Sequence, residues 1–152
     1  MLGNLKRLIE YSKTITEGIE EAPRPHIVGD EDEGTTLLNS PIYVGPQIVV
    51  SLPMTKLSGN CDNMTGDLVF IVFVLEKSKS STATPEGQVA QYLSTIDLLD
   101  AILEKFTSDI AGLSADGGCP LLAGMELVDA DVMPETGRFG GWNGYSATIT
   151  LK

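Results

Sequence analysis

Asp129 and Asp131 stand two residues apart in the stretch MELVDADVMP. In an extended chain alternate residues share a face, so both carboxylates would project together, as paired-carboxylate acid–base chemistry requires. Their alternation with Val128, Ala130 and Val132 describes the wet outer face of a strand equally well, and that simpler account is preferred. His26, the single histidine, sits between Pro25 and Ile27. A histidine base works with a nucleophile and an orienting acid, and no motif places either beside it. Zinc takes three or four Cys or His ligands. Cys61, Cys119 and His26 are all the chain offers, and they are scattered. Asp30, Glu31, Asp32 and Glu33 form an acidic run, without the alternate acids, central glycine and closing glutamate of a calcium loop. The glycine-rich pieces GDLVF, SADGG and GRFGGWNG lack the Lys-Ser/Thr of a phosphate loop and the G-x-G-x-x-G of a dinucleotide site. No catalytic, cofactor-binding or metal-binding residue is nominated, and no cofactor is expected.

The 152-residue chain has 42% apolar residues, enough for the core of one domain, and a formal charge of −11. That charge repels nucleic acid and leaves no basic stripe to read it. The two cysteines are expected to be free thiols, although their spacing does not exclude a disulfide. Residues 1–20 carry charges throughout rather than a charged start and an apolar run. The most apolar stretch, Leu68 to Leu75, is eight residues, far short of the roughly 20 that span a bilayer. A soluble intracellular protein is expected.

The elements follow from periodicity. Leu2, Leu5, Leu8, Ile9, Ile15 and Ile19 recur at three-and-four spacing and predict an amphipathic helix over 3–20. The proline- and acid-rich 22–41 segment reads as a long mobile loop. Strands are predicted at about 46–52 and 67–77, with a turn between them at 56–67. LVFIVFVLEK is apolar on both faces, as in a central strand covered on both sides. Thr84, Pro85 and Glu86 open a helix over 86–110, whose core stripe is read as Val89, Leu93, Ile96, Leu99, Ile102, Leu103, Phe106 and Ile110. Strands at 124–132, with Met125, Leu127 and Val128 inward, and at 144–151 close the chain. The order α-β-β-α-β-β predicts an α+β domain over 1–152: a mainly antiparallel four-stranded sheet with two helices packed on one face.

With these elements in place, LVFIVFVLEK, the 89–110 helix and GRFGGWNGYSATITLK resemble the tail terminator (minor tail) proteins of long-tailed bacteriophages. Those proteins carry a second helix before their last two strands, and often end on a W-x-x-x-x-x-x-I-x-x-like strand after a loop. The resemblance is one of pattern and order over about two thirds of the chain. The acidic 22–41 segment departs from it. It implies a non-enzymatic subunit of a hexameric ring, with tail-tube and head-completion proteins as partners. It also implies residence in the host cytoplasm during assembly, and then in the virion tail. A neck or head–tail connector subunit, or a small bacterial binding or regulatory module, are the alternatives. Under this reading Arg138, Phe139, Trp142 and Tyr145 are the subunit-interface candidates. Trp142 sits there among glycines that leave its ring free to move. The acids Asp30 to Glu33 are the candidate channel lining.

Overall fold

The computed structural model describes residues 2–60, 63–78, 84–112 and 119–152. Its centre is β4 (Asn63–Lys77), whose apolar run supplies both faces of the sheet. Phe70, Val72 and Val74 point to one side, into a core with Leu8, Leu99, Ile102, Phe106 and Ile149. Phe73 and Leu75 point to the other, into a second core with Val28, Leu38, Val49, Phe139 and Trp142. The two-sided cover expected for this strand is present.

The sheet has six strands in the order β1-β2-β4-β6-β5, with β3 paired to β4 beyond β2. β2 (Gln47–Ser51), β3 (Met54–Asn60), β4, β5 (Leu127–Arg138) and β6 (Trp142–Leu151) form antiparallel pairs, while β1 (His26–Val28) lies parallel to β2. The fold is α+β, as expected, but among the described residues its sheet is mixed and six-stranded, and there are three α-helices rather than two. Two segments account for the difference. The described residues of the 56–67 stretch are strand, not turn: β3 and the first half of β4 pair from Met54↔Val69 to Asn60↔Asn63 as a projecting arm. The 22–41 stretch is not a plain loop; it holds β1 and the helix α2 (Glu31–Leu38).

Local chemistry explains α2. Asp30 accepts a hydrogen bond from Glu33 N at 2.8 Å, while Glu33 Oε2 reaches back to Gly29 N at 3.0 Å. This reciprocal pairing satisfies amides that a helix start leaves bare, and the three first-turn acids sit at the positive end of the dipole. The acidic run is therefore a helix start.

The first helix, α1 (Gly3–Ser12), is shorter than the predicted 3–20. Ser12 Oγ and Thr14 Oγ1 turn back onto the carbonyls of Leu8 and Tyr11, offering the backbone an alternative to further helix. Turns carry the chain on, and Ile15 still reaches the core. α3 (Pro85–Ala111) agrees closely with its predicted span: Thr84 caps it, Pro85 opens it, and Gly112 ends it in the left-handed conformation. α1 and α3 cover one face of the sheet and α2 the other.

The buried face of α3 agrees with the expected one from Leu99 to Ile110 and departs from it in the first half of the helix. Gln91, Thr95, Leu99, Ile102 and Phe106 are buried, whereas Val89, Leu93 and Ile96 are 57%, 56% and 36% exposed. α3 comes close to the sheet at Gly144 on β6, where a Cβ would fall 3.1 Å from Thr95 Cγ2. Helix and sheet approach so closely that only a small side chain fits, and Gln91 instead donates to the Lys77 carbonyl at 3.0 Å. Val128, expected inward, is half exposed, because the β5–β6 ladder slips between Leu127 and Asp129.

Candidate subunit-contact surfaces

The nominated residues Arg138, Phe139 and Trp142 meet at the β5–β6 turn. Gly137, Phe139, Gly140 and Gly141 all have positive φ, so the glycines build a tight reversal. That reversal folds the Phe139 ring under α2, where it meets Phe73 edge-to-face at 5.3 Å. Gly34 provides the room, since a Cβ there would lie 2.5 Å from the Phe139 ring. Trp142 is 1% exposed and joins the same core. Trp142 and Phe139 are thus interior aromatics of the single chain. Tyr145 is half-buried beside Tyr92, 6.0 Å between ring centres, and Tyr92 Oη shares a hydrogen bond with Thr136 at 2.8 Å.

Arg138 ties the turn to α2. Its guanidinium lies over the Phe73 ring, with Glu31 at 3.4 Å and Glu135 at 3.2 Å. Nε, the nitrogen nearest Glu135, is off-axis for a hydrogen bond and has no such partner, so the attraction there is Coulombic. Glu135 also accepts from Ser146 Oγ at 2.8 Å. Arg138 is already engaged by two carboxylates. Of the acidic run, Asp30, Glu31, Asp32 and Glu33 are all exposed along the first turn of α2.

The open surfaces lie at the sheet margins. Among the described residues β5 pairs only with β6, and from Val128 to Pro134 its side chains are exposed on both faces. β3 pairs, among the described residues, only with β4, and Met54 is 67% exposed. The register assigns faces, because directly opposed residues share one. Ala130 and Val132 oppose Ile149 and Ala147 on the α1/α3 side, while Asp129 and Asp131 oppose Thr150 and Thr148 on the α2 side. On β3, Thr55 and Leu57 lie on the α1/α3 side, and Met54 and Lys56 on the α2 side. A groove of about 920 Å³ runs between the arm and the start of α1, walled by Leu2, Leu5, Met54, Leu57 and Leu68 among others. Ile42 and Val44, 75% and 71% exposed, stand in the segment before β2 begins.

Among the described residues, Tyr11 is the one strongly perturbed titrating group. Burial, and then its hydrogen bond to Asp109 at 2.7 Å, push its phenol well above the ordinary tyrosine range. Lys105 Nζ shares that carboxylate at 2.9 Å and stands over the Tyr11 ring. The trio locks α1 to α3. His26 sits 3.0 Å from Gln47 Oε1 and edge-on to Tyr43, a cross-strand contact. Among the described residues, no three His, Cys, Asp or Glu side chains gather as a metal site requires, and Cys119 is a free, half-buried thiol. Cys61 lies outside the described residues. No described helix is long and apolar enough to cross a membrane.

No protein-family model and no curated protein sequence matches this chain. The margins were less visible in sequence than the aromatics. Lys56 and its neighbours read as turn because Gly, Asn and Asp crowd 59–67, although Met54-Thr55-Lys56-Leu57-Ser58 alternates as a strand does.

Proposed function

We propose that this chain is a structural assembly subunit of the tail terminator kind. Copies join through heterologous contacts into a closed hexameric ring that caps a tail tube and meets the head-completion proteins. The observation that carries this reading is the pair of free edges on opposite sides of the sheet, β5 on one and the β3 arm on the other. A ring needs two different, complementary surfaces per subunit, whereas a two-fold dimer needs one. The formal charge of −11 also suits a channel through which DNA passes without being held. The exposed acids of α2 are the candidate lining.

Sedimentation velocity and negative-stain electron microscopy test the proposal, on the chain alone and mixed with the tube protein of the same tail. Six-fold rings are the expected result. A monomer at every concentration, also with tube protein present, overturns it.

A further inference from the structure

Resting on the ring reading above, we propose that β3 of one copy adds to the free edge of β5 of the next, antiparallel, with Lys56 opposite Asp131. Direction comes first. β4 runs against β3 and β6, and β6 against β5, so β5 and β3 run oppositely within one copy. Copies set side by side with the same face forward therefore bring β3 to β5 in the antiparallel sense.

Charge complementarity selects this occupant. Asp129 and Asp131 are exposed on the α2 side of one edge, and Lys56 is exposed on the α2 side of the other. None of the three has an ion-pair partner among the described residues, and Asp67, across from Lys56 in the register, stays outside ion-pair distance. Two copies of β5 meeting about a two-fold would instead bring carboxylates of the same face together, which opposes isologous pairing. The third free edge, β1, is three residues long and follows Pro23 and Pro25, which cannot donate to a ladder.

This register satisfies both faces. With Lys56 opposite Asp131, Met54 meets Met133, Thr55 meets Val132, and Leu57 meets Ala130. Pro134, lacking an N–H, falls just outside the ladder. The arm extends past the level of β5 along the strand direction, and tilting the strands against the ring axis takes up that offset, as in any barrel.

The test combines cross-linking with charge reversal. Leu57→Cys and Ala130→Cys are placed together in a chain whose Cys61 and Cys119 are replaced by serine. Within one copy β4 and β6 separate these positions by about 14 Å, so a disulfide between them forms only across copies. A ladder of oxidised multimers is expected. Lys56→Glu or Asp131→Lys alone should weaken association about tenfold, and the two together should restore it. Circular dichroism melts confirm that these exposed substitutions leave the monomer folded. Rings that form without the cross-link and ignore the reversals overturn this pairing and leave the ring reading standing. A monomer at every concentration overturns both.

Discussion

At the scale of single residues, the chain's largest side chain is committed to its interior. Trp142 is 1% exposed, so Trp142→Ala should lower stability by about 3–5 kcal/mol through lost transfer energy and a residual cavity. Urea denaturation checks this, and a loss under about half a kcal/mol would place the ring outside the core. Tyr11 makes a prediction in pH. Its folded phenol is held above the ordinary value near 10, so the unfolded chain gives up this proton first as pH rises. Its contribution is fully present below about pH 10 and declines above it, because only the unfolded state is then stabilised by ionisation. Tyr11→Phe should flatten the fall in melting temperature between about pH 10 and 11, at the cost of the bond to Asp109 at every pH. Equal slopes for the two proteins would mean that Tyr11 ionises freely in the folded state.

Among the elements, the fit of α2 rests on Gly34, whose missing Cβ admits the Phe139 ring. Alanine there would gain about 1 kcal/mol of helix propensity and lose about 1–3 kcal/mol to overpacking. Gly34→Ala should therefore destabilise on balance, and Gly34→Ala with Phe139→Leu should recover part of the loss. A more stable single variant would mean that α2 does not rest on Phe139. Sequence pattern reached some elements and not others, for identifiable reasons. β4 was legible because its apolar run is short and rich in Val, Ile and Phe, and β6 because its alternation is unbroken. The start of α2 was written in Asp30 and Glu33, but a run of four acids also reads as a solvated loop, and only the reciprocal bonds to Glu33 and Gly29 separate the two. The face of α3 was legible from Leu99 to Ile110 but not in its first half. Val89, Leu93 and Ile96 have helical spacing, yet Thr95, and not they, meets the sheet, at Gly144, across 49 residues of sequence. The free edges were hidden for the same reason: which strand lies outermost is a property of the pairing order.

For the whole molecule, net charge and local pairs pull the proposed ring in opposite directions, and distance decides between them. Neighbouring subunits of this size have centres on the order of 35 Å apart. Two charges of −11 at that separation repel by about 4 kcal/mol at 0.01 M salt, where the screening length is about 30 Å. At 0.1 M the length falls to about 10 Å, and the repulsion drops below about 1 kcal/mol. The Lys56–Asp131 contact acts over a few ångströms and contributes about 0.2–1 kcal/mol as an exposed pair, with far weaker dependence on salt. Association should therefore tighten at least about tenfold per interface between 0.01 and 0.1 M sodium chloride, then level off and weaken slightly as the close pair is screened. Sedimentation equilibrium across that series measures it. Affinity that falls steadily from the lowest salt upward would mean that ion pairs across the interface outweigh the repulsion between whole subunits, and that the acidic surfaces face away from one another in the ring.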